Sequence, residues 1–244
     1  MRPADPCVEK NFELWPGVLH LAAWGAGAHG AVEAGIDAAR ETVSTLIADG
    51  ELIAGGSLDV LPRGAAGRRV PEACRAIMQA MGGQAAGVPS LPPPLVALPG
   101  AVCDEVLAAM LASGAAGGAM ASLGGAAAFR NPSGLYSGVP ALAEMPPILT
   151  EFVRTLGGGV GGGVALAGLR SGFPGAGIAD RVAVQANGAA MAALAAAMIA
   201  DGVNVPGLKS GAARRPADPL VAQAFKGRMI GGEPGVLAPE TIRE

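Results

Sequence analysis

A strand and an alanine helix meet in the segment from Gly177 to Val203, GIADRVAVQANGAAMAALAAAMIADGV, and its small side chains limit what the chain can build. Val182, Val184 and the apolar residues around them read as a short strand. Asn187-Gly188 then turns the chain into a helix carrying Met191, Leu194, Met198 and Ile199 close to one face. A surface made mostly of alanine buries little area unless backbones approach closely. The segment therefore predicts a core strand packed at short range by a core helix.

The rest of the chain has the same character. Of 244 residues, 51% are apolar, only 3% are aromatic, and 39 residues are glycine. Small side chains must fill most of the core, with Leu, Val, Ile and Met in the gaps. The length suits a single unit over 1–244. A net charge of -3 gives no electrostatic reason to expect nucleic acid or an anionic membrane, both of which reward clustered Lys and Arg. The basic pairs Arg68-Arg69 and Arg214-Arg215 are isolated and read as solvated surface. The stretch MRPADPCVEKNFE is polar with an early acid, unlike a secretory or lipoprotein leader, so the expected location is the cytoplasm. The longest glycine-free apolar run, Ala189 to Ala200, is shorter than the roughly 20 residues a spanning helix needs. Cys7, Cys74 and Cys103 are widely spaced and odd in number, which suggests reduced, structural thiols and no zinc site.

Along the chain, Leu14 to Trp24 reads as a strand around His20. A helix from about Gly30 to Ala48 repeats Val32, Ile36, Ala39, Val43 and Leu46 or Ile47, and Asp49-Gly50 is expected to end it. Ser57 to Leu61 reads as a second short strand before a basic glycine-rich loop, and Pro71 to Met81 as a helix with Pro71 near its first turn. The segment 82–94, ending in three prolines, is the expected lobe boundary. Gly100 to Ser113 predicts a helix with Val102, Val106, Ala109 and Met110 inward. Ala119 to Leu123 predicts a strand entering Gly124-Gly125. Pro140 to Pro147 reads as loop, Ile148 to Leu156 as a strand or short helix, Gly157 to Gly163 as a connector, and the tail from Val205 as loop-rich.

Several constellations could carry chemistry. Gly25, Gly27 and Gly30 match GxGxxG between a predicted strand and a predicted helix, the setting of a dinucleotide fingerprint. This would make the chain an NAD(P)-dependent oxidoreductase. Asp49 and Glu51 lie near the spacing of a ribose-binding acid but fall in the expected turn, and a helix-opening turn is the simpler reading. His20 and His29 have no Cys, Asp or Glu at metal spacing. Asp104 and Asp180 each sit in a strongly apolar context. A buried carboxylate is costly unless satisfied, so each caps a turn, pairs with an arginine such as Arg170, or lines a cleft. The glycines at 124–125 and 157–163 could admit a phosphate close to backbone N–H groups.

Four segments then combine in order: LVALPGAVCDEVLAAM, ASLGGAAAF, GVALAGLRSGFPGAGIADRVAV and AALAAAMIADGV. Together they resemble an uncharacterised bacterial and archaeal family related to the ApbE flavin transferases. In that family a GAVADE-type helix precedes a GGD strand, a TSG-R segment, and a GIAD strand followed by an ADAAAT helix. The resemblance runs from the GVLHLAAWG strand to Arg215, Pro216 and Ala217. It implies an α+β fold in which two lobes share one core with a cleft between them. In true ApbE proteins that cleft binds FAD and magnesium and transfers FMN to a threonine of a partner flavoprotein. Some members of the related branch are associated with one-carbon or sulfur metabolism.

Carried over position by position, Gly100, Asp104, Gly124, Gly125, Gly168, Arg170, Gly177 and Asp180 match the pattern. Gly124, Gly125, Gly168, Arg170 and Gly177 become candidate cofactor-binding residues, and Asp180, Arg170 and Asp104 candidate catalytic ones. The departures bear more on function. Ala193 and Ala197 replace the metal-side Asp and Thr of the helix, Ala126 replaces the Asp of GGD, Leu166-Ala167 replaces Thr-Ser, and Gly172 replaces a second arginine. Magnesium requires hard oxygen ligands, which alanine does not offer. Without the ion, charge on a transferred phosphoryl group loses its main stabiliser. The resemblance thus implies a protein that has lost the transferase chemistry and binds a protein partner or small ligand, with FAD a candidate and magnesium disfavoured. An active enzyme using Asp180 and Arg170 is the alternative. Small-residue helix faces also allow a homo-oligomer.

Overall fold

A computed structural model describes residues 7–14, 17–56, 58–82, 92–114, 117–131, 161–171, 177–203 and 219–225. The chain is α+β. Among the described residues there are six strands, β1 (Cys7–Leu14), β2 (Gly17–Trp24), β3 (Gly118–Leu123), β4 (Ala126–Arg130), β5 (Gly161–Ala167) and β6 (Val182–Ala186). They form one sheet in the order β1-β2-β3-β4-β5-β6, and every neighbouring pair is antiparallel. The helices are α1 (Ala28–Gly55), α2 (Ala65–Ala80), α3 (Leu98–Ala112) after a 3-10 turn at Pro94–Ala97, α4 (Ala189–Gly202) and the short α5 (Pro219–Ala224). α1 packs on β1 and β2, α3 on β3 and β4, and α4 on β5 and β6. α2 rests on α1, α3 and α4.

Period-two alternation decides which residues meet the helices. Leu19, Leu21 and Ala23 of β2 and Ala119, Ala121 and Leu123 of β3 join the main core beneath the helices. Their neighbours in sequence, Ala22, Trp24 and Met120, form a second cluster with Ala127, Phe129, Val164 and Leu166 on the opposite face. Both faces of the central strands are thus buried, which is why β3 reads as a continuous small-residue run.

Close backbone approach explains much of the glycine. A methyl group on Gly35 would come within 2.8 Å of Met110, so α1 and α3 touch there. One on Gly100 would meet the Ala189 backbone at 2.3 Å, which fixes α3 against the start of α4. Pro94–Ala112 is the one described helical stretch long and apolar enough to cross a membrane, and 61% of it is buried inside the fold.

Several elements differ from the sequence expectation. Cys7–Leu14 is a strand paired with β2, whereas only Leu14 to Trp24 was expected to be extended. The signal was present, since Val8, Phe12 and Leu14 share a face, but charged residues between them masked it. α1 runs through Asp49-Gly50 and stops at Gly56, whose positive φ of 72 gives it a left-handed cap. A helical glycine costs only about 1 kcal/mol relative to alanine, and burial of Ile53 and Ala54 offsets it. The region after Ser57 is not extended: Leu58–Leu61 forms no strand. α2 begins at Ala65 within the expected loop, which places Pro71 inside the helix instead of in its first turn.

On α3, Ala109 is only partly buried, while Val102, Val106 and Met110 are fully so. Gly161–Gly163 are strand residues of β5 and not connector. On α4 Leu194 is buried among alanines as expected, Met191 and Met198 pack partly buried against the main core, and Ile199 is exposed. Most of the 82–94 boundary, the segments 140–147 and 148–156, Gly157 to Val160, Ser57, Gly172, Arg214 to Ala217 and nearly all of the tail lie outside the described residues.

Candidate functional site

The candidate site forms where the end of β5, the start of β4 and one face of α4 converge. A small cleft, open to solvent, is lined there by Gly125 and Ala126, by Ala165, Leu166, Ala167 and Gly168, and by Ala193, Ala197 and Ala200 of α4. Val96 and Pro99 close one side. Pairing of Ala126 with Ala165 sets the floor, because the β4 and β5 side chains that point away from the second cluster point toward α4. Ala193, Ala197 and Ala200 recur at helical spacing above them. Gly168, with φ 114, turns the chain out of β5 at the rim.

The polar groups around the cleft are largely engaged within the fold. The Gly125 carbonyl accepts from the Leu166 N–H at 2.7 Å. The Ala126 carbonyl accepts from the Ser122 hydroxyl at 3.2 Å and faces the Cys103 thiol at 3.7 Å. The Gly168 carbonyl accepts from the Ser171 hydroxyl at 2.7 Å and from its N–H at 3.0 Å.

The described residues that line the cleft include Gly125, Gly168 and all the described positions where the sequence departs from the flavin-transferase pattern: Ala126, Leu166, Ala167, Ala193 and Ala197. They come from separate segments, yet the fold brings them to one place. None carries a side-chain oxygen or a cationic group. This donor set does not fit magnesium, which a protein usually holds through one or two carboxylates. It also offers no Lys or Arg for a diphosphate. Among the described residues, no group of three or more His, Cys, Asp or Glu side chains could hold a metal ion.

The remaining candidates have other surroundings. Asp104 accepts the Ala189 N–H at 2.8 Å and the Ala190 N–H at 3.0 Å, so its carboxylate caps α4. Burial pushes this carboxyl above its usual range, against the opposing pull of those N–H groups. Arg170 and Asp180 pair with each other at 3.0 Å, with side chains 63% and 68% exposed. Backbone bonds tie them to the cleft rim, with the Leu169 N–H donating to Ala179 at 2.8 Å and the Arg170 N–H to Asp180 at 3.1 Å. Gly124 holds the β3–β4 turn with φ 58. Gly177 lies so close to the Ala200 carbonyl that an added methyl group would stand 1.9 Å from it, so it seats the chain against the end of α4.

The GxGxxG residues do open α1, with Gly25 and Gly27 at φ 82 and 81. The next strand of the sheet, β3, pairs antiparallel with β2, so the parallel βαβ unit of a dinucleotide site is not formed there. Asp49 is buried inside α1 and accepts the Arg63 N–H at 3.0 Å and the Gly64 N–H at 2.8 Å. It secures the start of α2 and is not presented to a ribose. Sequence reasoning missed this role because Asp-Gly reads as a turn; the only available hint was the helical spacing that resumes at Ile53. His20 Nδ1 lies 3.0 Å from Asn11 Oδ1 on the β1–β2 hairpin, and His29 is exposed on α1. Arg69 pairs with Glu105 at 2.8 Å, and Arg68 donates to the Arg63 carbonyl. No protein-family model, curated protein or solved structure matches this chain.

Proposed function

We propose that the chain is an ApbE-like protein, with two lobes sharing one core, that has lost FAD:protein FMN transferase chemistry. In this reading it works in the cytoplasm and uses the alanine cleft to bind a small ligand or a partner's side chain through apolar contact. The observation that carries the reading is the convergence of Ala126, Ala167, Ala193 and Ala197 on one cleft. Leaving a buried polar group unsatisfied costs about 1–3 kcal/mol, so a cleft whose carbonyls are already engaged favours an apolar occupant. A flavin would have to be held through its ring, without magnesium at its phosphates.

The test uses indole as an apolar probe. Shift perturbations in an NMR titration are expected to cluster on α4 and the end of β5, and to disappear in Ala193→Leu, which fills the cleft. Perturbations spread elsewhere, or unchanged in that variant, would overturn the reading.

A second reading, an active enzyme of the same branch, is favoured by the tie between Gly168 at the cleft and the Arg170–Asp180 pair. In that case either Arg170→Ala or Asp180→Ala abolishes turnover of whatever substrate is found and leaves the fold intact.

A further inference from the structure

The two edges of the sheet differ in character. β1, at one edge, exposes Glu9, Lys10 and Glu13, and charges of this kind discourage strand addition. β6, at the other, reads Val-Ala-Val-Gln-Ala, with no charge and no proline, and among the described residues has only β5 beside it. An edge strand leaves half of its N–H and C=O groups directed away from the sheet, so the occupant this edge fits is another strand.

The helix above the edge adds an apolar element. α4 lies over β5 and β6 while α3 lies over β3 and β4, so the flank of α4 away from α3 lies on the side of the β6 edge. At about 100° per residue, Ala190 and Leu194, which join the core cluster that holds α3, fall on one flank of α4 and Ile199 on the other. Ile199 is 47% exposed and Val203, just past the helix, is 45% exposed.

We propose that β6 pairs antiparallel with β6 of a second copy of this chain, about a twofold axis at Val184, so that two sheets become one and Ile199 packs at the junction. In this register Val184 meets its own counterpart, Val182 meets Ala186, and Ala183 meets Gln185. Arg181 comes opposite Asn187, so no like charges face each other. The strand is therefore complementary to itself, as an isologous contact requires. On β1, pairing about Asn11 sets Glu9 against Glu13 and pairing about Lys10 sets lysine against lysine, so its charges disfavour these two registers.

Charge exchange at Ala183 and Gln185 tests this directly, because both side chains are exposed and neither supports the core. By sedimentation velocity the wild-type chain is expected to be a dimer at tens of micromolar. The double variants A183K/Q185K and A183E/Q185E, which place like charges opposite each other, should each dissociate at least tenfold more readily with unchanged circular dichroism. Mixing the two should restore the dimer. A monomeric wild type, double variants as dimeric as the wild type, or a mixture that stays monomeric would each overturn the proposal.

Discussion

The Asp104 carboxylate, carried within α3, accepts the Ala189 N–H at 2.8 Å and so caps a helix that begins 85 residues later in the chain. α4 has no side-chain cap of its own, since Gly188 stands at its N-cap position. One acid thus joins the helix over β3 and β4 to the helix that walls the cleft. Removing it in Asp104→Ala leaves two N–H groups without their acceptor, and we expect a loss of about 1–3 kcal/mol in urea unfolding. A change within 0.5 kcal/mol of zero would show that the cap contributes nothing.

The same residue gives a pH signature. Burial raises the folded-state carboxyl above the unfolded value of 3.8, so between those values the folded chain binds the proton more readily. The proton-linked part of the Asp104 contribution is then fully present below 3.8 and declines as pH rises through the raised folded value, on top of the cap itself. The stability of wild type relative to Asp104→Asn should therefore fall as pH rises from about 4 to about 7. A difference moving in favour of the wild type would indicate a carboxylate stabilised by its partners beyond the penalty of burial.

Gly163 on β5 passes directly beneath the start of α4, where an added methyl group would stand 1.9 Å from the Ala189 nitrogen. Gly163→Ala must push α4 off the sheet, and we expect a cost of about 3 kcal/mol. Gly30→Ala has open space and is the matched control. Near-wild-type stability of Gly163→Ala in thermal unfolding would refute the close contact.

The cysteines report on the core. Cys74 and Cys103 are buried, while Cys7 is exposed on the edge strand. Burial raises the Cys74 thiol to about 11 and raises Cys103 further. An aromatic disulfide reagent should therefore modify one thiol in the folded protein at neutral pH and all three after denaturation. Fast modification of Cys103 would mean that the contact between α3 and β4 opens readily.

Long periodic segments were legible in the sequence. α3, β3 and the β6–α4 unit stand close to where hydrophobic spacing puts them. Other features were hidden because tertiary contacts override local signals. The Asp49-Gly50 pair looks like a stop, but its acid is satisfied by the start of α2 and the helix continues. Gly161–Gly163 look like a linker, although glycine is what lets α4 approach β5 so closely. At the site, the side chains on α4 that drew attention by size were Met191, Leu194, Met198 and Ile199. Those that line the cleft are Ala193, Ala197 and Ala200, a role that small residues do not announce without a pattern to compare them with. Asp104 fell within the alternatives that the cost of burying charge defines, whereas Asp180 pairs with Arg170 but is mostly exposed, so burial does not impose that pair.

Among its described lining residues the cleft offers no side-chain oxygen to a metal ion, and the proposed loss of magnesium-dependent flavin transfer rests on that. It is tested most directly by titrating the protein with FAD, followed by flavin fluorescence, once with excess magnesium and once with a chelator. The two curves are expected to superimpose, whatever affinity the flavin ring alone provides. Binding that tightens tenfold or more when magnesium is present would contradict the proposed loss.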